Sequence, residues 1–382
     1  MNTPETITFV SQHYYPSSRR AGFHNLADAA HGMGFKVNFV TAAYSFMSYA
    51  RRDYRTRIPG IRGNLNTLVE IRPGLYSYVY FTPWHPMTLL LPFLNKISMP
   101  WMDAYGRGDL GALLPLVRQT DVFVFESTPG LFLFRRFLRE QPAAKTIYRV
   151  SDDIRILGST HPRLVELERE IAPLFDSVSV PSSWMLDMFP DLPSLRLDRH
   201  GLDKNIYDNC VDSPYESGTR NAVFVGTGYM DLEFITAAAK GNQDCFFHVI
   251  GPVAAGVKLR NVRFHGEMPF IQTVPYVKFA DVGLACRTFR KGFAASLTDS
   301  LKIIQYRYCG LPIVSPDFID LKRDGVFYYR PGDAGSASSA LRDALASGRE
   351  PERASEVRTW EEVFADILSA SLPGLDFRQR CV

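Results

Sequence analysis

The feature that most constrains the fold is a repeated alternation of short β-rich runs with helical stretches. In the first half of the chain the β-rich runs occupy residues 7–11, 36–40, 121–125 and 146–150, with helical stretches near 23–33, 109–118 and 129–140. In the second half the runs occupy residues 222–225, 246–250, 262–264, 282–285, 313–314 and 326–329. Alternation of this kind is typical of a mostly parallel sheet with helices packed on it. The sequence therefore predicts an α/β protein with two sheets of the same type.

The length and composition fit two domains. The chain has 382 residues, of which 46% are hydrophobic, and this is ample for two buried cores. Residues 203–220 are rich in Asp, Asn, Ser, Pro and Gly and lack apolar periodicity, so we place the linker there. The predicted domains are residues 1–203 and 204–382, and the terminal helices are allowed to cross back to the first domain. Because ligands of such sheets bind beyond the carboxyl ends of the strands, we expect the site in a cleft between the domains.

Charge and cysteine content argue against several classes of protein. The net charge is +3, and the sequence has no zinc-ligand spacing, no aromatic RNA-binding pattern and no long basic run, so nucleic acid is not an expected partner. The five cysteines show no paired spacing, which fits a reducing compartment. No signal-peptide pattern is visible, and no apolar run reaches the roughly 18 to 20 residues that a spanning helix needs. We expect a cytoplasmic protein without a transmembrane segment.

A predicted helix near residue 300 has the composition of an anion-binding site. Residue types that cap helices precede it: Ser296, Thr298 and Asp299. Free backbone N–H groups at a helix start bind phosphate, and Lys302 adds a positive charge within the helix. Gln305 lies three residues after Lys302, on the same face, and Gly310 ends the helix before the strand at 313–314. The alternative is an ordinary capped helix with a solvated lysine.

Two other segments of the second half follow predicted strands. Gly226 and Gly228 form a candidate turn beneath a diphosphate, although glycine turns after strands are common. Glu267 follows the run 262–264, from where a carboxylate accepts hydrogen bonds from a ribose diol or a base amide. A surface glutamate before a helix is an equal alternative.

The loop after the first strand, residues 12–22, lacks the G-x-G-x-x-G spacing, which argues against a nicotinamide or flavin site.

Two adjacent carboxylates, Asp152 and Asp153, follow the predicted strand 146–150 in the first half. Neighbouring side chains in an extended loop point opposite ways, so we expect one of them to face the cleft and act as a general base. The alternative is that one or both cap the following helix. Two carboxylates alone do not make a dedicated Mg²⁺ site, so no metal site is predicted.

An aromatic and apolar segment, residues 76–102, is the candidate acceptor side. It contains Trp84, Leu89 and Leu90 and carries few charges. Five arginines precede it: Arg51, Arg52, Arg55, Arg57 and Arg62. Aromatic rings favour a membrane interface and basic side chains attract anionic headgroups, so the segment indicates peripheral membrane binding. The alternative is an aromatic domain core.

Four segments, in their order along the chain, resemble the GumK-type glucuronosyltransferases of xanthan biosynthesis, a family of inverting GT-B glycosyltransferases. The segments are residues 148–153, 225–226, 266–268 and 299–312. The resemblance implies the GT-B fold, in which two Rossmann-like, doubly wound domains face each other across a cleft. It also implies that Asp152 is the catalytic base, with Asp153 as the alternative.

The same resemblance implies the residues of the donor site. The uridine diphosphate part of the donor would be held by Glu267, Met268, Lys302 and Gln305. The chain departs from its relatives at Arg287, where they have a tyrosine, at Leu301, where they have a methionine, and at Gly228 in the turn. An arginine near the sugar suits a carboxylated donor such as UDP-glucuronate, because guanidinium pairs with carboxylate in a bidentate way.

The resemblance implies transfer of a sugar, glucuronate from UDP-glucuronate, to a polyprenyl-diphosphate-linked oligosaccharide in exopolysaccharide synthesis. The enzyme would lie peripherally on the inner face of the cell membrane. Lys302 and the helix start would neutralise the departing diphosphate, so we expect neither a metal nor another cofactor. Two alternatives stay open: a nucleotide-sugar 2-epimerase, and a non-catalytic carbohydrate-binding protein of the same fold.

Overall fold

The computed structural model describes residues 4–89, 91–158, 160–226, 229–253, 256–289, 299–319, 321 and 323–381. The chain forms two compact units. The first comprises Met1–Arg199 together with Trp360–Val382, and the second comprises His200–Thr359. The second unit is therefore one continuous stretch of chain inserted between two parts of the first.

The first unit is built on an eight-stranded sheet. Its strands are β1 Thr6–Ser11, β2 Lys36–Ser45, β3 Leu68–Arg72, β4 Leu75–Thr82, β5 Val122–Glu126, β6 Lys145–Arg149, β7 Ser177–Val180 and β8 Leu195–Leu197. They lie in the order β3-β4-β2-β1-β5-β6-β7-β8, with β3 antiparallel to β4 and the other neighbours parallel. From β4 to β7 this is the strand order of a Rossmann sheet. The order in which the chain adds strands reverses between β1 and β5.

Helices cover this sheet. They are α1 Gly22–Gly32, α2 Phe46–Ala50, α3 Pro92–Met102, α4 Leu114–Arg118, α5 Phe134–Glu140 and α6 Pro162–Ile171. β1 is buried along its whole length, as expected for a central parallel strand with both faces covered. α1 ends before Gly34, whose φ of +85° turns the chain back into β2.

The second unit has a six-stranded sheet. Its strands are β9 Arg220–Val225, β10 Cys245–Ile250, β11 Val262–Gly266, β12 Val282–Leu284, β13 Ile313–Pro316 and β14 Val326–Tyr329. They lie in the order β11-β10-β9-β12-β13-β14, and all neighbours pair in parallel. This is the Rossmann order 3-2-1-4-5-6, with the reversal between β9 and β12. The predicted α/β class with two sheets of one type is confirmed.

One helix of the second unit lies within the predicted linker. They are α7 Lys204–Asp208, α8 Leu232–Gly241, α9 Phe270–Phe279, α10 Leu301–Tyr308 and α11 Ala334–Ser347. The first residues of the predicted linker at 203–220 form α7. The Asp203 carboxylate caps this helix by accepting a hydrogen bond from the Ile206 backbone N–H at 3.4 Å. Tyr207 of α7 is buried in the core of the second unit. The start of the predicted linker is thus part of a domain.

The last helix, α12 Trp360–Ser371, belongs to the first unit. It packs against α1 and against β6 and β7. The Phe364 ring lies 5.6 Å from the ring of Phe9 on the central strand β1. The core of the first unit is therefore completed by residues from the far end of the chain.

Candidate active site

Polar residues lie beyond the carboxyl ends of the strands at the point where each sheet reverses its strand order. In the first unit, His13 follows β1 and Glu126 ends β5. In the second unit, Gly226 follows β9 and Arg287 follows β12. Open α/β sheets bind their ligands at this point, because the loops diverge there and leave a crevice. Each unit thus carries a candidate site of its own.

Asp152 is the open carboxylate of the first unit. Its backbone N–H donates to the Ser127 hydroxyl at 3.1 Å, and its side chain is exposed. The described residues provide no hydrogen bond to its carboxylate. Although the residue is exposed, nearby protein atoms partly desolvate its carboxyl and so raise its pKa; the negative charge of Glu126 raises this pKa further, and His13 lowers it. An unpartnered carboxylate of raised pKa is suited to accept a proton.

Asp153 points the other way and is already occupied. It is buried and pairs with Arg155, whose Nε and Nη2 donate to its two oxygens at 2.7 Å each. It also accepts a hydrogen bond from the Arg155 backbone N–H at 2.9 Å. The two neighbouring carboxylates therefore separate into one that is open and one that caps its own turn.

A buried glutamate, which the sequence analysis did not single out, lies beside Asp152. Glu126 is 2% exposed and accepts hydrogen bonds from the Ser11 hydroxyl and, at 2.8 Å, from the Ser151 hydroxyl. His13 Nε2 lies 3.6 Å from Glu126 Oε1. One signal pointed to this residue: a charged side chain directly follows the apolar run of β5.

In the second unit, Lys302 is a buried amine with no counterion among the described residues. It lies in the first turn of α10, and its Nζ has no hydrogen-bond partner among the described residues. Nζ lies 4.0 Å from the ring centroid of Phe224. Burial lowers the pKa of Lys302 well below the usual value, and the nearby Arg287 lowers it further. A cation held in this state gains stability when an anion arrives.

Gly226 makes room for this ammonium group. A Cβ at position 226 would lie 2.8 Å from Lys302 Nζ, so any larger residue would displace it. The Gly226 backbone N–H donates to the Ile250 carbonyl at 3.0 Å, which holds the turn against the sheet. A Cβ on Gly251 would lie 1.8 Å from the Gly226 carbonyl oxygen, so that position needs glycine as well. Gly228 lies outside the described residues.

Arg287 is the second cation of this site. It is half-buried, and burial lowers the pKa of its guanidinium. Within the described ranges, no carboxylate pairs with Arg287 or with Lys302. Two neighbouring cations without an acidic partner indicate a site for an anion.

The start of α10 differs from the prediction. The N-cap is Ser300, and its side chain makes no capping hydrogen bond. Asp299 is buried and pairs with Arg323, so it does not cap the helix. Ser296 and Thr298, the other predicted caps, lie outside the described residues. The helix ends as predicted, with Gly310 at a φ of +66°.

The other predicted donor-site residues do not all lie together. Glu267 is exposed and Met268 is half-buried after β11, while Gln305 is buried on α10. β11 is two strands from β9, a distance of roughly 10 Å at ordinary strand spacing. The predicted residues therefore form two groups, one beside the buried cations and one towards the edge of the sheet.

Metal-ligating side chains are not clustered in the part of the chain that the structure describes. No group of three or more His, Cys, Asp or Glu side chains there is placed to hold a metal ion. The expected independence of metals stays a prediction.

An exposed apolar face on α3 is the second distinctive surface of the first unit. Phe93, Ile97 and Trp101 are 57%, 64% and 71% exposed, and they are spaced four residues apart. Side chains at this spacing lie on one side of a helix. None of the helices in the described ranges combines the length and hydropathy needed for a transmembrane span.

This face differs from the residues that the sequence indicated for membrane contact. Trp84 packs against the core of the first unit, with its ring 6.2 Å from that of Tyr105. Leu89 is half-buried, and Leu90 lies outside the described residues. Arg55 is buried and donates to the Gln12 and Ala43 carbonyls at 2.7 and 2.8 Å, so it is not available to lipid. The other four arginines are exposed.

Comparisons with known proteins give consistent results. Residues 9–181 match the family described as glucuronosyltransferase GumK, N-terminal domain. The chain is 30% identical over 345 residues to the UDP-glucuronate:glycolipid 2-beta-glucuronosyltransferase of Xanthomonas campestris pv. campestris, a match that covers 89% of this chain and 84% of that protein.

Solved structures show the same fold at low sequence identity. The Anabaena protein HepE in complex with UDP and glucose has a TM-score of 0.59 at 14% identity, covering 96% of this chain and 98% of that one. The UDP-forming α,α-trehalose-phosphate synthase of Burkholderia xenovorans has a TM-score of 0.55 at 13% identity, covering 98% and 96%. The fold is therefore GT-B, as the sequence analysis expected.

Proposed function

The chain belongs to the GumK family of glucuronosyltransferases, and from this premise we propose that it transfers glucuronate from UDP-glucuronate to a polyprenyl-diphosphate-linked oligosaccharide. The transfer inverts the configuration at the anomeric carbon, and the product serves exopolysaccharide synthesis. The observation that carries the proposal is the match to a glycolipid glucuronosyltransferase over 89% of this chain. The open carboxylate in the first unit and the unpaired cations in the second supply the two kinds of group that the reaction needs.

The second unit binds the donor. The diphosphate lies against Lys302 and the start of α10, where backbone N–H groups and the helix dipole favour negative charge. Charge that develops on the departing uridine diphosphate is neutralised there, so the reaction needs no divalent ion. Glu267, Met268 and Gln305 hold the uridine part.

The first unit supplies the base. In an inverting transfer the acceptor hydroxyl attacks the anomeric carbon on the face opposite the leaving diphosphate. The C–O bond to the diphosphate breaks, and the hydroxyl proton passes to a carboxylate. Asp152 is that carboxylate, because it is open and has a raised pKa, whereas Asp153 is paired with Arg155.

The test is an assay of the full chain with UDP-glucuronate and a polyprenyl-diphosphate-linked oligosaccharide. We expect release of UDP only when the acceptor is present, and a β-linked glucuronate on the acceptor by NMR. Conversion of the donor into its 2-epimer without acceptor and without net release of UDP would favour the 2-epimerase alternative, and binding without turnover would favour a carbohydrate-binding protein. Activity should survive a strong chelator; loss with EDTA and recovery with Mg²⁺ would contradict the metal-free mechanism.

Arg287 is proposed to recognise the donor carboxylate. Replacing it with glutamine should lower kcat/KM for UDP-glucuronate about ten- to hundredfold, the value of one charge-assisted bidentate contact, and leave the slow reaction with UDP-glucose nearly unchanged. The measurement is kcat/KM for both donors, and Arg287→Lys should restore part of the preference. Equal losses for both donors would show that Arg287 binds the diphosphate instead.

The proposed membrane contact is the apolar face of α3 together with the exposed Arg51, Arg52, Arg57 and Arg62. Phe93, Ile97 and Trp101 enter the interface, and basic side chains add about 1 kcal/mol each near anionic lipid. We propose that this contact holds the protein on the inner face of the cell membrane, where it would meet the lipid-linked acceptor.

Changing Phe93, Ile97 and Trp101 together to serine should lower liposome partitioning more than tenfold, because burial of large apolar side chains drives the insertion. Flotation with vesicles of increasing anionic lipid measures the effect, and binding of the unchanged protein should weaken with salt. The matched control is Val211→Ser with Ile271→Ser, two exposed apolar residues of the second unit that are 77% and 57% exposed. The membrane proposal fails if the unchanged protein ignores vesicles of every composition, or if the α3 variant binds as well as the control.

A further inference from the structure

The base of the first unit is surrounded by groups that the proposed mechanism leaves unexplained. Glu126 is a fully buried carboxylate at the end of the central strand β5, between β1 and β6. An isolated buried carboxylate is costly, and it persists only when several donors satisfy it. Here the donors come from both neighbouring strands.

On the β1 side, Glu126 holds the loop that carries His13. The Ser11 hydroxyl donates to Glu126 Oε2, and the His13 backbone N–H donates to the Ser11 oxygen at 2.9 Å. The imidazole of His13 faces the other carboxylate oxygen at 3.6 Å. Glu126 thus fixes both the backbone of this loop and the imidazole ring of His13.

On the β6 side, Glu126 holds the loop that carries Asp152. The Ser151 hydroxyl donates to Glu126 Oε1 at 2.8 Å. The backbone N–H groups of Ser151 and Asp152 both donate to the Ser127 hydroxyl, at 3.0 and 3.1 Å. The residue before the base and the backbone of the base itself are therefore tied to the end of β5.

We propose that Glu126 is a positioning residue of the transfer reaction, which fixes the loop that carries Asp152 and sets the charge around that base. The inference rests on the proposed function, in which Asp152 takes the proton of the acceptor hydroxyl. Glu126 is buried and acts through Asp152.

The charge around the pair comes from a small set of groups. The titratable groups that face Glu126 are His13 after β1, Tyr54 in the turn Tyr54–Arg57, Tyr148 on β6 and Asp152 after β6. Burial raises the pKa of Tyr54 and Tyr148, so both phenols stay neutral through the working pH range. The ionic partners of Asp152 are therefore Glu126, which raises its pKa, and His13, which lowers it.

The test is the pH dependence of kcat/KM for the acceptor. Transfer needs Asp152 ionised, so the rate falls as the pH drops through the pKa of this residue. Glu126→Gln keeps the shape of the side chain and its capacity to pair with both serines, but it removes the negative charge. We expect the acid limb of the pH profile of kcat/KM, where the rate falls with falling pH, to move to lower pH by roughly 0.5 to 1 unit. The plateau should fall roughly threefold, because the base is weaker.

Two further variants separate charge from structure. Glu126→Asp keeps the charge and should leave the acid limb near its original position. Glu168→Gln is the matched control: Glu168 is also buried in the first unit, but it accepts a hydrogen bond from Tyr148 and does not face Asp152. This control should leave the limb unmoved. A Glu126→Gln variant with a lower plateau and an unmoved limb would show a merely structural role and overturn the proposal.

If Glu126→Gln folds poorly, His13→Gln is a second variant that tests the charges around Asp152. It removes the group that lowers the pKa of Asp152, so the limb should move to higher pH, opposite to the effect at Glu126. A limb that does not move overturns the proposal. The outcome also separates this inference from the proposed function. Near-normal transfer by Asp152→Asn would refute the base itself, whereas an inactive Asp152→Asn with an unmoved limb in Glu126→Gln refutes only the role of Glu126.

Discussion

Replacing Asp152 with asparagine should lower kcat by about 10² to 10⁴ and leave the affinity for UDP unchanged. Asparagine has the same shape but cannot accept the proton of the acceptor hydroxyl. The base acts on the acceptor and Asp152 lies in the first unit, whereas the nucleotide is proposed to bind in the second. Steady-state transfer rates and calorimetry with UDP measure the two quantities.

Asp153→Asn is the control for this experiment. Asp153 is buried and paired with Arg155, so its substitution should lower the free energy of unfolding while the folded fraction keeps most of its activity. A large loss of kcat in Asp153→Asn, together with near-normal turnover in Asp152→Asn, would move the base to Asp153. If neither change affects kcat, a carboxylate base at this position is excluded.

Replacing Lys302 with methionine should have two opposite effects. The affinity for UDP should fall roughly ten- to hundredfold, because a charged contact with the diphosphate is lost. The ligand-free protein should become more stable by about 1 to 3 kcal/mol, because a buried amine that has neither a hydrogen-bond partner nor a counterion among the described residues is replaced by an apolar side chain of similar length. Calorimetry with UDP and thermal unfolding without it measure the two effects.

The expected gain in stability depends on pH, because the pKa of Lys302 is lowered in the folded protein. A lysine whose pKa is lower in the folded than in the unfolded protein opposes folding while it is protonated in the unfolded chain. This opposition disappears as the pH rises through the unfolded value, so the stability gain from Lys302→Met should shrink at high pH. Binding of the diphosphate raises the pKa of Lys302 again, so UDP binding should take up protons and weaken as the pH rises. Calorimetry in buffers of different ionisation enthalpy detects the uptake.

Lys278→Met is the matched control. Lys278 belongs to the same unit, and its Nζ donates to the Tyr207 and Asp208 carbonyls at 2.6 and 3.2 Å. Its replacement should lower stability slightly and leave UDP affinity unchanged. Unchanged UDP affinity in Lys302→Met would refute the proposed phosphate contact. A loss of ligand-free stability in Lys302→Met would show that the ammonium group has a favourable partner.

The two sheets were largely predictable because buried parallel strands have a strong signal. Each predicted β-rich run is a strand whose ends lie within a few residues of the prediction. Two of the unpredicted strands have weaker patterns. β7 Ser177–Val180 contains two serines, and β8 Leu195–Leu197 has three residues. β7 and β8 are fixed by their neighbours rather than by their own composition. β4 Leu75–Thr82 has a composition typical of a strand, but it lies in the aromatic segment 76–102, for which the sequence predicts a surface; the structure pairs it with β2 in the sheet.

The candidate site was predictable in its residues but not in its charge balance. The Asp-Asp pair and Lys302 are visible in the sequence. That Asp153 is paired while Asp152 is open depends on the orientation of two adjacent side chains. The burial of Arg55 depends on carbonyl groups of Gln12 and Ala43, which only the folded chain brings to the same point. Glu126 had a visible position but no motif.

The return of the chain to the first unit has a consequence for its biosynthesis. α12 Trp360–Ser371 contributes Phe364 to the core around β1, so this core cannot be completed on the ribosome before α12 has emerged. The second unit is continuous, and its ends are joined by a parallel bridge between Leu202 and Thr359. It can close while the first unit still waits for its last helix. During synthesis we therefore expect the second unit, the proposed nucleotide-binding half, to fold before the first.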